Sequence, residues 1–224
     1  CALHSEDLDI VRAEAEARTG ILRDHIVVAA THTHSGPAVI GFFNPKEMDY
    51  VDELRGKLVE AIAEAVSGAR PAAIGNGSGR EDTISYYRRL LIDEGRVVMN
   101  WETYSPERIV RLLGEPDPEV GVMRVVDAGN PTDVICLLFN HAGHPNVMSG
   151  DNYSISADYP GVASRRLEEE FHSIALFTNG AQGSVDIDGL KDRDWEGVER
   201  AGTALAESVS QVAKAILTSG SMDV

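Results

Sequence analysis

The residues best suited to chemistry are two histidines one residue apart, His32 and His34, in the stretch ATHTHSGP. The apolar run IVVAA, residues 26–30, comes just before this pair, and we predict that it forms a strand. Side chains two residues apart in a strand point to the same face, so both imidazoles would face one side if the extended path continues. Burying them without partners is costly. The pair therefore fits two metal ligands, or one ligand and one acid–base group; surface histidines in a loop are the simpler alternative.

Two further apolar runs also end in small and polar residues. ICLLF runs into NHAGHP, which carries His141 and His144, and IALF runs into TNGAQGSVDID. Ligands gather beyond the carboxyl ends of strands in open sheets, so the three endings predict one shared site. Zinc binds histidine nitrogen and, in catalytic sites, leaves one position for water. Histidines from different strand ends, with a carboxylate or phenol from elsewhere, would suit it.

Charged residues near these segments are further candidates. Asp186 and Asp188 alternate in GSVDID, so both could face a metal, a water or a substrate hydroxyl; an exposed acidic turn is the alternative. Arg88 and Arg89 follow two tyrosines in SYYRRLL. A guanidinium can hold a polar substrate group through two hydrogen bonds. A surface ion pair is the alternative, which we expect for one of the two arginines.

The elements that must position these residues alternate between helix and strand. Helical spacing of apolar residues predicts helices over residues 7–19, 49–67, 159–171 and 195–217. Besides residues 26–30, strands are predicted over residues 72–87, 97–101, 121–126, 134–139 and 174–177. The glycines of GNGSG indicate a bend or bulge in the first of these, and residues 121–126 and 134–139 form a predicted hairpin. The pattern predicts an α/β fold with a mixed sheet flanked by helices, in one domain over residues 1–224.

Composition limits the partners. The formal net charge of -16 argues against nucleic acid or an anionic membrane as a partner, since both would repel the chain. The two cysteines provide no disulfide framework, and no apolar run is long enough to cross a bilayer. The chain begins without Met, so we expect it to be part of a longer protein, and no targeting segment indicates a compartment. No pattern indicates an oligomeric state.

Four motifs in order resemble the N-terminal catalytic domain of the neutral/alkaline (non-lysosomal) ceramidase family. They are ATHTHSGP, FNHAGHPNVM, NYSISADYPGVASRRLE and LFTNGAQGSVDID, and the similarity spans most of residues 21–188. The resemblance implies a zinc amidase that cleaves the N-acyl bond of ceramide by activating water and stabilising the oxyanion.

The resemblance also implies roles for individual residues. His32 and His144 would be zinc ligands, with His144 a better match than His141. His34 would be a catalytic residue beside the metal that contacts substrate, and Arg88 would contact substrate as well. We also predict that His141 binds substrate. Asp186 stands where the family has its catalytic serine, and a carboxylate there would more naturally orient water or bind metal. The family completes its zinc site with a Glu and a Tyr that lie beyond the last residue of this sequence.

The sequence therefore predicts a zinc-dependent hydrolase of an amide bond, with a small-molecule or lipid amide as substrate. The substrate need not be ceramide, because Asp186 replaces the serine. Two alternatives remain open. One is a binding domain of the same fold without catalysis, which the missing serine favours. The other is a hydrolase that uses another cation on a hydrophilic ester or sugar derivative, which the acidic charge and the aromatic content of 6% favour.

Overall fold

The computed structural model describes residues 2–42, 44–148, 150, 152–187 and 193–219. The chain divides into two compact units, one formed by Cys1–His32 and Gly36–Pro71 and the other by Thr33–Ser35 and Ala72–Val224. The predicted α/β class, with a mixed sheet and flanking helices, is confirmed. The single domain over residues 1–224 stays a prediction.

The first unit contains two helices, α1 (Ser5–Thr19) and α2 (Met48–Ser67), which pack against each other. Both helices were predicted within two residues of their observed bounds. Gly20 ends α1 in the left-handed conformation, at φ 76°, which glycine adopts without the steric cost of a Cβ. The buried carboxylate of Asp7 in α1 pairs with Lys46 and Arg55 of the same unit.

The strand predicted over residues 26–30 is wrong. These residues are described and belong to no strand or bridge. Arg12 Nε donates to the backbone oxygen of Ile26 at 2.9 Å, and Val27 is 85% exposed. An apolar run forms a strand only when a neighbouring strand pairs with it. Pairing between segments that are distant in sequence is not visible in the local sequence.

The second unit contains the sheets. Its described strands are β1 (Ala72–Arg80), β2 (Ser85–Tyr87), β3 (Arg89–Ile92), β4 (Val97–Met99), β5 (Ile109–Leu112), β6 (Glu119–Asp127), β7 (Asn130–His141), β8 (Ile174–Asn179) and β9 (Val185–Ile187). The main sheet has the order β1-β6-β7-β8, and only the β7–β8 pair of this sheet is parallel. The predicted hairpin is the pair β6–β7. Parallel pairing brings the carboxyl ends of β7 and β8 to the same edge.

Helices α3 (Asp158–Phe171) and α4 (Trp195–Ala215) pack against each other and against this sheet, and both helices were predicted. Asp194 caps α4 by accepting a hydrogen bond from the backbone nitrogen of Gly197 at 2.7 Å. The common core contains buried residues from both layers: Val120, Val122, Leu137, Phe139, Tyr159, Leu167, Leu205 and Val209. No helix among the described residues is long and apolar enough to cross a membrane.

The bend predicted at GNGSG is wrong, because β1 pairs with β6 in unbroken register from Ala72 to Arg80. The glycines serve close packing instead. A Cβ at Gly75 would collide with the backbone oxygen of Leu217, and a Cβ at Gly77 would lie 3.1 Å from Ile216 Cγ1. The chain just after α4 therefore lies directly on β1, where only glycine leaves room.

Two small sheets complete the second unit. β2 pairs with β9, and β3 lies between β4 and β5. The strand predicted over residues 97–101 is shortened to β4, and β5 lies in a stretch for which no strand was predicted. β9 matters most for the candidate site, because Asp186 in its centre bridges to the backbone of His144.

Candidate metal centre

Three histidines converge in the structure: His32, His34 and His144. Each offers one ring nitrogen, and these three nitrogens lie within 4.8 Å of one another. The rings of His34 and His144 meet edge to face, with centroids 5.0 Å apart. His144 is buried, His32 is partly buried and His34 is exposed. The group therefore combines a buried histidine with an open outer side. It confirms that these histidines meet, and their service as metal ligands stays a proposal.

The convergence of His32 and His34 does not arise by strand alternation, as the sequence predicted. His32 has φ 68°, in the left-handed region, so the extended path breaks at this residue. A non-glycine residue in this region costs about 1–3 kcal/mol, and such strain concentrates at functional sites. Histidine is one of the residues enriched at positive φ, but only a few per cent of non-glycine residues adopt it, so the residue type alone does not predict this conformation.

The backbone and ring of His144 are held by the segment around β9. The backbone nitrogen of His144 donates to the oxygen of Val185 at 3.1 Å. Nδ1 of the His144 ring lies 3.3 Å from the backbone oxygen of Gln182. A carbonyl can only accept, so Nδ1 carries the proton and Nε2 presents a lone pair. Metal-binding histidines are usually oriented in this way by a partner on the other nitrogen.

The turn before His144 is held from inside the core. The hydroxyl of Tyr159 donates to the backbone oxygen of Gly143 at 2.7 Å, and the tyrosine is fully buried. Burial raises the pKa of Tyr159 well above its usual value, so the hydroxyl stays a donor. A Cβ at Gly143 would lie 2.5 Å from Ile187 Cδ1 and 2.9 Å from the tyrosine hydroxyl. Glycine is therefore required in the motif between His141 and His144.

Asp186 is fully buried, and both of its carboxylate oxygens accept hydrogen bonds from protein side chains. Arg88 donates to Oδ1 from Nε at 2.7 Å and approaches it with Nη2 at 2.5 Å. Asn146 donates to Oδ1 at 3.0 Å and Asn100 to Oδ2 at 2.8 Å. The carboxylate is thus occupied by three protein donors, which suits a positioning role. The catalytic role that the sequence predicted for Asp186 stays a prediction.

Arg88 is 7% exposed and is held on several sides. Besides its contact with Asp186, Nη1 donates to the backbone oxygen of Gly183 at 3.4 Å, and Cζ lies 5.0 Å from the centroid of the Trp101 ring. Arg89, the first residue of β3, is exposed. Of the two arginines, Arg89 therefore lies at the surface. The substrate contact predicted for Arg88 stays a prediction, and its guanidinium is already paired within the protein.

His141 does not belong to the group of three histidines. It is fully buried at the end of β7, with Nδ1 3.2 Å from the backbone oxygen of Glu119 and Nε2 3.1 Å from Ser85 Oγ. Burial lowers its pKa, against smaller raising effects of the Glu119 carbonyl and of the charges of Glu81 and Asp117. Its predicted substrate contact stays a prediction, and both ring nitrogens have partners inside the protein.

Three further residues were either predicted near the site or found beside it: Asp188, Asn100 and Asn146. Asp188 lies outside the described residues. Asn100 and Asn146, which bind Asp186, were missed from sequence. Asn146 stands two residues after His144 within the second motif, so its position was a usable signal. Asn100 had none, since it meets Asp186 only through the pairing of distant segments.

No protein-family model matches the chain. The structure of neutral ceramidase from Pseudomonas aeruginosa superposes with a TM-score of 0.77 at 21% identity, covering 96% of this chain and 35% of that chain. A structure of ceramidase complexed with C2 superposes with a TM-score of 0.69 at 22% identity, covering 96% of this chain and 34% of that chain. The chain thus spans about a third of the length of these proteins. At these identities the likeness shows a shared fold.

Proposed function

We propose that this chain, which has the fold of part of neutral ceramidase, carries a zinc site that serves the hydrolysis of an N-acyl amide bond. The observation that supports the proposal most strongly is the convergence of His32, His34 and His144, with ring nitrogens within 4.8 Å of one another. The fold supports the same reaction class, since both superposed structures are ceramidases.

The three side chains fit zinc. Catalytic zinc sites use three protein ligands and leave one position open, and neutral imidazole is a ligand that zinc accepts readily. We assign His34 to the metal together with His32 and His144, because its ring nitrogen also lies within 4.8 Å of theirs. When bound, zinc would acidify a water molecule and polarise the carbonyl of the substrate.

Other residues of the chain orient the histidines and shape the space around them. The backbone oxygen of Gln182 holds Nδ1 of His144, so Nε2 would be the nitrogen available to a metal. The exposed ring of His34 leaves the outer side of the group open to substrate. Asp186, with its carboxylate enclosed by Arg88 and two asparagines, fixes the strand that pairs with His144.

Apolar side chains near the histidine segment support an amide substrate with an apolar part. Tyr153 is 96% exposed and Ile155 is 77% exposed. They lie between Asn152 and Ser156, which both hydrogen-bond to Ser35, directly after His34. An exposed apolar pair tied to the segment that carries a ligand is suited to contact an acyl chain.

A binding domain without catalysis is the second candidate. It is favoured by one observation, the enclosure of Asp186 by three protein donors at the position that the resemblance assigns to a serine. In this arrangement no serine hydroxyl stands at that position, and both oxygens of the carboxylate are already hydrogen-bonded within the protein. The metal site would then hold a ligand rather than turn it over.

Hydrolysis assays distinguish these candidates. We expect the zinc-loaded chain to release fatty acid from N-acyl amides, to lose this activity on chelation and to regain it when zinc is restored. The panel should vary acyl length and include matched esters and hydrophilic amides. His25→Ala, at an exposed histidine, is the matched control and should retain activity, whereas His144→Ala should lose it. Full zinc loading without turnover on any substrate would favour the binding domain. Turnover of hydrophilic substrates with another cation would favour the remaining alternative.

A further inference from the structure

Two hydroxyl residues stand on either side of His34. Thr33 Oγ1 donates to the backbone oxygen of Ser156 at 2.7 Å and accepts from the backbone nitrogen of Ser35 at 3.2 Å. One hydroxyl thus joins the histidine segment to the residues just before α3, and also shapes the turn that carries His34. Such local side chain–backbone bonds fix a backbone that lies outside helix and strand.

Ser35 makes the matching connection on the other side of His34. It is 7% exposed, and its hydroxyl donates to the backbone oxygen of Met148 at 2.7 Å. The same hydroxyl accepts from Nδ2 of Asn152 at 3.1 Å, and the backbone oxygen of Ser35 accepts from the nitrogen of Ser156 at 2.9 Å. Together with the bond from its backbone nitrogen to Thr33 Oγ1, four hydrogen bonds therefore hold this one residue.

One of these bonds, from Ser35 to Met148, ends on the segment that carries His144. The backbone nitrogen of His34 donates to the oxygen of Pro145, the residue after His144, at 3.0 Å. Met148 lies three residues further on, and its backbone nitrogen is held by the carboxylate of Asp158 at 2.9 Å. His144 is itself fixed to β9. The backbone nitrogen of His34 and the hydroxyl of Ser35 thus link the backbones that carry two of the three histidines directly. Thr33 supports this link indirectly, because its hydroxyl fixes the backbone nitrogen of Ser35 and binds the backbone oxygen of Ser156.

We propose that Thr33 and Ser35 are positioning residues that set the separation of the His34 and His144 rings, and through it the affinity for the metal. The proposal rests on the proposed zinc site. The ring of His34 is exposed and meets the ring of His144 edge to face, so a shift of the His34 backbone would change the separation of the two rings. Partners that orient metal ligands typically change affinity by about 10–100-fold when removed.

Zinc affinity of matched variants tests the proposal. Metal-free wild type, Thr33→Val, Thr33→Ser and Thr203→Val are titrated with zinc in competition with a chromogenic chelator, and each is unfolded in urea without metal. Thr203→Val is the control because Thr203 Oγ1 also donates to a backbone oxygen, that of Glu199 at 2.6 Å, on α4. We expect Thr33→Val to weaken zinc binding about 10-fold or more. Thr33→Ser, which keeps the hydroxyl, should bind like wild type, and so should Thr203→Val.

The outcomes separate this proposal from the proposed zinc site. Equal zinc affinity of Thr33→Val and Thr203→Val overturns the positioning role while the metal site stands. Wild type that binds zinc no better than His144→Ala overturns both. If Thr33→Val does not fold, Ser35→Ala takes its place, and unchanged zinc affinity in Ser35→Ala likewise overturns the proposal. Weaker zinc binding in Thr33→Ser as well as in Thr33→Val would contradict a role of the hydroxyl.

Discussion

Replacing Asp186 with alanine is expected to lower the free energy of unfolding by about 3–5 kcal/mol, the usual cost of removing one partner from a buried ion pair. The side chains of Arg88 and Asp186 are 9% and 0% exposed, so the remaining guanidinium would keep a charge without its carboxylate. Asn100 and Asn146 would lose an acceptor in the same place. The measurement is urea unfolding of the metal-free protein.

Asp82→Ala is the matched control for this substitution. Asp82 accepts from Arg80 Nε at 2.7 Å, but both side chains of this pair are more than half exposed. Exposed ion pairs contribute about 0–1 kcal/mol, so this variant should unfold almost like wild type. Equal loss of stability in the two variants would show that the buried carboxylate of Asp186 does not stabilise the fold through Arg88, Asn100 and Asn146.

Replacing His144 with alanine is expected to weaken zinc binding by at least about 100-fold, more than the loss of a residue that only orients a ligand. His144 is the buried member of the three histidines, and its ring is fixed by Gln182. His34→Ala and His32→Ala should also bind zinc more weakly than wild type. The measurement is the zinc dissociation constant, obtained by competition with a chelator of known affinity.

His25→Ala serves as the control for zinc binding, because His25 is exposed and does not belong to the group of three. It should bind zinc like wild type. A further comparison is His141→Ala, since His141 lies in the same motif as His144 but outside the group of three histidines. Loss of zinc in His141→Ala with zinc retained in His144→Ala would contradict the assignment of ligands.

The regular elements of the fold could be predicted wherever local spacing determines them. All four helices follow from apolar residues at helical spacing, and the β6–β7 hairpin follows from two apolar runs around a turn. Residues 26–30 show where such reasoning ends, since the same kind of apolar run finds no strand to pair with. The glycines of β1 indicate close packing rather than a bend, and only the position of the chain after α4 distinguishes the two.

The candidate site, like the fold, could be predicted only in part. That His32, His34 and His144 meet was predicted from polar segments that follow apolar runs. The reason was partly wrong, because His32 turns the chain through a left-handed conformation. The partners of Asp186 could not be predicted: Arg88 lies 98 residues away in sequence and Asn100 lies 86 residues away. Residue types indicated what these side chains can do, while distant pairing decides that Asp186 and Arg88 bind each other.

Anomalous scattering at the zinc absorption edge, from crystals of the intact chain grown with zinc, tests most directly whether three histidines share one cation. The expected result is a single strong peak with ring nitrogens of His32, His34 and His144 at about 2.0–2.1 Å, the usual zinc–nitrogen distance. In this arrangement Nε2 of His144 faces the peak and Nδ1 remains bonded to Gln182. A zinc peak held by other residues, or the absence of a peak among these histidines at saturating zinc, would contradict the account.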